Sequence, residues 1–285
     1  KIDIQDTEAK EVKIDAVWKY LGGKAPEHQA TFPITGEQLH DIFLFSGTSQ
    51  ERCDEVASII NKYSDEYGID NAEKMSHFIG QIGAESNLNN LKEEYRYKKD
   101  RIKEVFGKVK YCDLFVGYES DLDECNGDKP ASCIPQLTEI TSNMVIKDKY
   151  KGSIKLFDYV YSCRMGNGAP NSGDGGRFRG RAFLHLTGRD KYEILQAKWN
   201  STFPNDKKDF LCDSDACEAT RELLINDLDF AMRSSLAFWK SVNANTIATI
   251  VDDKSIKEVS KKINGGLNGI ETRIELTKKA YNTIK

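Results

Sequence analysis

Apolar residues recur at helical spacing along most of this chain, and the runs are separated by polar breaks marked with glycine or proline. Residues 1–32 are the exception. They are polar, weakly periodic and broken by Gly22, Gly23 and Pro26, and they read as a linker or the tail of an upstream module. From Pro33 the pattern turns helical. Thr35-x-x-Gln38 and Thr48-x-x-Glu51 have the form of capping boxes opening two helices. The second helix carries Cys53, Val56, Ile59, Ile60, Tyr63 and Tyr67 on one face, and Asp70 is placed to cap a third, with Met75, Phe78, Ile79 and Ile82 at helical spacing. That third helix runs straight into Glu85.

The middle of the chain is different. Segment 111–151 is polar, contains Pro130 and Pro135, and reads as an insertion stapled by disulfide rather than by core. Helical spacing returns at Ile154, Phe157, Val160 and Tyr161 and breaks at a glycine-rich stretch, 166–180. An alternating piece follows, Arg177-Phe178-Arg179-Gly180-Arg181, and reads as extended chain with its arginines on one side. Amphipathic patterns predict further helices over 188–199, 218–241, 255–264 and 268–284. The expected fold is mainly α, with a little strand near the middle and one large domain over 33–285.

Composition narrows the classes. The 285 residues are 39% hydrophobic and 30% charged with net charge −4, so there is no basic footprint for nucleic acid. No stretch approaches the roughly 18 apolar residues of a membrane span. The chain begins at Lys1 with no signal-peptide core behind it, which reads as a processed protein or an excised piece. Its seven cysteines lack C-x2-C spacing and have no histidine nearby, so disulfides in an oxidising compartment fit better than zinc. Cys212 and Cys217 are expected to pair, as are two of Cys112, Cys125 and Cys133, with an odd thiol left over. No cofactor or metal is implied, since the four histidines form no H-E-x-x-H and the glycine-rich stretch lacks a phosphate-loop ending.

Two carboxylate features could carry chemistry. Gly83-Ala84-Glu85-Ser86-Asn87 ends an apolar helix face on a carboxylate, a setting in which desolvation favours the protonated form that a general acid needs. Glu93 and Glu94 follow closely, and two carboxyl groups across a cleft are the requirement of glycoside hydrolysis. Taken locally, both features also fit ordinary solvated glutamates.

In order along the chain, these pieces resemble glycoside hydrolase family 19, the chitinase/endolysin type, and its bacterial or phage branch in particular. The resemblance is carried by His77-Phe78-Ile79-Gly80-Gln81-Ile82-Gly83-Ala84-Glu85-Ser86, by Glu93-Glu94-Tyr95-Arg96-Tyr97, and by a long signature from Arg164 through Tyr192. Ala237-Phe238-Trp239 and Ile263-Asn264-Gly265-Gly266-Leu267-Asn268-Gly269, with Arg273, complete it. It implies a two-lobed lysozyme-like fold with a small β element beside the cleft. It also implies inverting hydrolysis of a β-1,4 amino-sugar bond, with Glu85 as acid and Glu93 as base. Glu94 remains the alternative base. Thr187 corresponds to the residue that holds the attacking water, while Tyr97, Arg181, His185, Asn264 and Arg273 are expected to bind substrate. The sequence departs from the family pattern at Ala84, Ala182 and His185. Peptidoglycan strands are the first expected substrate, chitin the second, and an inactive sugar-binding relative a further alternative. Arg177, Arg179, Arg181 and Arg189 are expected to offer cations to a muramic acid lactyl group. Secretion or a periplasmic, cell-wall-facing place would follow, along with an immunity or delivery protein as a possible partner.

Overall fold

The computed structural model describes residues 30–94, 115–116, 145–146 and 154–285, and the protein is mainly helical. Three helices open it: α1 (Gly36–Ile42), α2 (Gln50–Tyr63) and α3 (Ala72–Ser86). Thr35 and Gln38 form the expected reciprocal capping box at α1. The caps of the next two helices fall one residue later than their patterns imply. Ser49, not Thr48, accepts from Arg52 N–H at α2, and Asn71, not Asp70, accepts from Lys74 N–H at α3. Each displaced side chain has another partner: Thr48 donates to the Asn87 carbonyl at 3.1 Å, and Asp70 pairs with Lys74 at 2.7 Å.

Of the segment read as an insertion, two short strands are described, β1 (Phe115–Val116) and β2 (Val145–Ile146), which pair antiparallel. The expected pairing among Cys112, Cys125 and Cys133 lies outside the described residues, as do residues 1–29. Beyond them come α4 (Lys155–Val160), α5 (Asp174–Arg177), α6 (Arg189–Thr202), α7 (Asp215–Asn226), α8 (Leu228–Ser241), α9 (Asp253–Asn264) and α10 (Ile270–Ile284). The single long helix expected over 218–241 is two, because Asp227 leaves helical geometry and its carboxylate caps α8 at Phe230 N–H. The expected extended piece at 177–181 begins inside the helical turn α5. Its strand character is limited to isolated bridges from Arg181 to Lys92 and to Leu186. Cys212 and Cys217 are joined as expected, Cys163 is also disulfide-bonded, and Cys53 is a buried free thiol. No helix among the described residues is long and apolar enough to cross a membrane.

One apolar core runs from Ile34 to Ile284. Phe78 meets Trp239 edge-on at 5.5 Å, and Trp199 is packed between Phe203 and Phe230 with ring centroids 4.7 and 4.4 Å away. The most extensive helix contact among the described residues is α3 on α10, and glycine lets the two pack closely. A side chain at Gly80 would come 3.0 Å from the Thr277 backbone, and one at Gly83 would strike the Phe43 ring and Leu276. Glycine inside a helix costs about 0.5–1 kcal/mol relative to alanine, so two in one turn of α3 reflect this close approach. The helices run antiparallel, which brings the last turn of α3 against the first turn of α10.

Gly80→Val is therefore expected to lower unfolding stability by about 2–3 kcal/mol or more through overpacking, as measured by urea titration. A change within about 0.5 kcal/mol, the range of neutral surface substitutions, would contradict this account of the α3–α10 contact.

Candidate active site

Glu85 lies in the last turn of α3, where helix carbonyls oppose a negative charge, and Arg273 lies in the first turn of α10, where amide N–H groups oppose a positive one. Each charge is misplaced on its own helix, and each offsets the other. Arg273 Nη2 donates to Glu85 Oε1 at 2.5 Å, Nη1 donates to Gln81 Oε1 at 2.6 Å, and Nε donates to the Asn268 carbonyl at 3.1 Å. Gln81 is itself fixed by its amide, which donates to Ser260 Oγ at 3.2 Å. The guanidinium is buried and aimed, while Glu85 keeps 15% of its side chain open.

Glu93 faces the same space from the segment after α3. Its backbone N–H donates to the Gly180 carbonyl at 2.8 Å, and Gly180 N–H returns a bond to Oε2 at 3.1 Å. The Tyr161 hydroxyl donates to Oε1. Burial pushes the Glu93 carboxyl above the usual glutamate range, against the opposing pull of Tyr161, Gly180 and His185, and the charge of Glu85 adds to the rise. Gly180 packs tightly against both groups: a Cβ there would sit 3.0 Å from Thr187 Oγ1 and 3.2 Å from Glu93 Cβ. Those distances also put the Thr187 hydroxyl beside the Glu93 carboxylate. Thr187 Oγ1 donates to the His185 carbonyl at 2.9 Å, which leaves its oxygen lone pairs free to accept.

A cavity of about 340 Å³ is lined by Glu85, Glu93, His185, Thr187, Asn264 and Arg273, together with Ala84, Tyr161, Asn268 and Gly269. Six of the residues singled out in the sequence thus share one space. Glu94 does not join them: it is exposed and faces Lys92 at 3.9 Å. Tyr97 lies outside the described residues. Arg181 is a correction. It was expected to bind substrate, yet it is fully buried and donates to Glu218, Glu222, the Arg177 carbonyl and the Tyr192 hydroxyl. The other arginines of that motif are engaged as well. Arg177 pairs with Asp174 and Asp213, Arg179 with Glu222, and Arg189 with Asp174. None of the four lines the cavity, because the helical turn α5 and the carboxylates of α7 draw them away from it.

Tyr161 is the residue that sequence reasoning missed. Its spacing assigned it to the α4 core face, but α4 ends at Val160, and that ending frees the hydroxyl to reach Glu93. Nothing in the local pattern distinguishes it. Among the described residues, the one grouping of three possible metal ligands is Asp209, Cys212 and Cys217, and its two sulfurs are joined in a disulfide.

The raised Glu93 titration has a consequence for stability. A carboxyl whose folded value lies above its unfolded value of about 4.3 contributes stability below that value and loses it as pH rises. Wild type is therefore expected to gain stability relative to Glu93→Gln as pH falls from 7.5 to 4.5, followed by urea unfolding. A wild-type advantage that grows with rising pH would contradict the burial of this carboxylate.

No family model matches the chain. Over 129 residues it is 30% identical to a protein of Haemophilus influenzae named as a glycosyl hydrolase family 19 domain-containing protein. The match covers 45% of this chain and 54% of that relative, so the chain spans about half the length of the curated relative it matches. At family level this similarity supports glycoside hydrolase family 19, and with it a glycoside hydrolase in general.

Proposed function

We propose that the protein is a peptidoglycan hydrolase that cuts β-1,4 amino-sugar bonds by single displacement with inversion. The observation that carries the reading is the convergence of two carboxylates, Glu85 and Glu93, on one cavity from two different chain segments. In this reading Glu85 protonates the leaving glycosidic oxygen. Glu93 takes a proton from the water that attacks the opposite face of the sugar. Burial makes Glu93 a stronger base than a solvated glutamate, because a carboxyl with a raised titration holds the transferred proton more tightly. Thr187 lies beside Glu93, where its hydroxyl positions the attacking water. Asn264, Asn268 and Gly269 also line the cavity, where amide groups and backbone can hydrogen-bond an N-acetyl or hydroxyl group.

Peptidoglycan is favoured over chitin by the Leu186-Thr187-Gly188-Arg189 form of the signature, which resembles the endolysin branch. Chitin is the second reading, and the inward-turned arginines favour it, since they offer no cation to a lactyl carboxylate. The Cys212–Cys217 disulfide supports an exported, cell-wall-facing place for the chain.

Glu85→Gln is expected to lower hydrolysis of purified cell walls by about 10²-fold or more, while the protein stays folded because the amide oxygen still accepts from Arg273. Turnover above about 10% of wild type, well short of the loss of a general acid, would sink the role of Glu85. Glu93→Gln should be comparably severe, and Glu94→Gln should leave activity within about twofold, as expected of an exposed carboxylate. If only the Glu94 change is severe, the base is misassigned. Mass spectrometry of borohydride-reduced digests should show reduced N-acetylmuramic acid ends. Rapid cleavage of chitin hexamers with intact cell walls would hand the case to the chitin reading.

A further inference from the structure

The arginines at 177, 179, 181 and 189 are paired away from the cavity, so an acidic substrate has to find its cations elsewhere. Helix α9 presents them. Lys254, Lys257 and Lys261 are all exposed. With Asn264, which lines the cavity, they stand at i, i+3, i+7 and i+10, one stripe along the helix. At about 1.5 Å of rise per residue the stripe is about 15 Å long, and its last member lies in the cavity wall. Ile256, Val259, Ser260 and Ile263 form the buried side of α9, which keeps the lysines turned outward. Lys191 of α6 donates to the Ile263 carbonyl at 2.7 Å and fixes the cavity end of the helix.

Helix stability does not account for this row. A cation is favoured in the last turn, where Lys261 and Lys262 lie, but Lys254 is in the first turn, where the macrodipole opposes it. Lys254 and Lys257 at i, i+3, and Lys257 and Lys261 at i, i+4, set like charges side by side, which disfavours a helix. No carboxylate offsets them. Asp253 is taken by Lys278 of α10 at 2.6 Å, and Glu258 is the other acid of α9. Among the described residues none of the three lysines forms an ion pair. They stand uncompensated on a chain whose net charge is −4. Beyond the stripe the way is open, since a Cβ added at Gly265, Gly266 or Gly269 would meet nothing within 4 Å.

We propose that the Lys254–Lys257–Lys261 stripe is a docking surface for the acidic peptide stems of a peptidoglycan strand whose glycan occupies the cavity. This rests on the peptidoglycan reading above and deepens it. Charge complementarity selects the occupant. Each stem carries free carboxylates and the stems recur along the strand, so a strand lying along α9 sets a row of anions over a row of cations, whereas a chitin chain is uncharged. Exposed pairs of this kind are individually weak and screened by salt, so the stripe acts by number and by steering rather than through one contact. It governs binding and leaves the chemical step to Glu85 and Glu93.

The test combines Lys254→Gln, Lys257→Gln and Lys261→Gln, since glutamine keeps a good helix propensity. On soluble, stem-bearing peptidoglycan strands at low salt, KM should rise about tenfold with kcat within about twofold of wild type, as expected when only substrate binding is weakened. On the same strands freed of their stems by an amidase, variant and wild type should match. The difference on stem-bearing strands should fade near 1 M salt, where the Debye length is about 3 Å. An unchanged KM, or an equal rise on both substrates, overturns the proposal. Urea unfolding should find the variant at least as stable as wild type, because repulsion within α9 is relieved. A less stable variant would make the stripe structural and overturn the proposal. Binding is read without hydrolysis by cosedimenting Glu85→Gln with purified cell walls. The three glutamines should weaken it, and hydrogen fluoride extraction of phosphate polymers from the walls should leave it unchanged. Loss of binding on extraction would make a phosphate polymer the occupant and overturn the stem reading. Stem-dependent binding by a protein that hydrolyses no glycan would sustain the stripe and overturn the hydrolase reading instead.

Discussion

The arrangement depends on how closely α3 and α10 approach. Gly80 and Gly83 remove the side chains that would hold the two helices apart, and Thr277, Leu276 and Phe43 occupy the space they leave. Only at that separation can Arg273, one turn before Thr277, reach a carboxylate one turn beyond Gly80. The helix dipoles disfavour both charges, and their direct pairing offsets that cost. Gln81 and Asn268 accept from the other two guanidinium nitrogens of Arg273, so its position is over-determined by groups from α3 and from the turn before α10. A buried cation fixed in this way supplies orientation more than stability.

The second carboxylate is held by a different device. Glu93 has no helix of its own and is fixed by a two-way backbone and side-chain exchange with Gly180. Gly180 is in turn positioned by its neighbour Arg181, whose guanidinium is locked to Glu218 and Glu222 of α7. The arginines that the sequence seemed to offer to substrate thus act one layer behind the cavity, tying the 177–187 segment to the helical body. Burial follows from the same packing and keeps the Glu93 carboxyl reluctant to ionise. The two carboxylates therefore meet different environments across about 340 Å³ of space: one is paired with a cation, the other desolvated.

Much of this was legible from the residues. Apolar spacing located the helices, and the motif positions Glu85, Glu93, Thr187, His185, Asn264 and Arg273 proved to share one cavity. The failures have physical reasons. Thr48 and Asp70 carry the right groups for caps, but Ser49 and Asn71 stand next to them with equally good oxygens, and local pattern cannot rank neighbours. Asp227 interrupts an apolar pattern that otherwise continues from α7 to α8, because a cap leaves periodicity almost unchanged. The Arg177–Arg181 alternation read as strand because φ and ψ are not written in residue type, and long-range carboxylates on α7 decided where those side chains point. Tyr161 was invisible for a similar reason: its role exists only because α4 stops at Val160.

The central claim is that Glu85 and Glu93 act on one glycosidic bond from opposite faces, with water as the nucleophile. Proton NMR of the newly formed reducing end, recorded in the first minutes of hydrolysis of a β-1,4 amino-sugar oligomer, tests it most directly. A single displacement on a β-linked sugar releases the α-anomer first, followed by slow mutarotation toward equilibrium. Initial appearance of the β-anomer would mean a double displacement, and would contradict the roles assigned to both carboxylates.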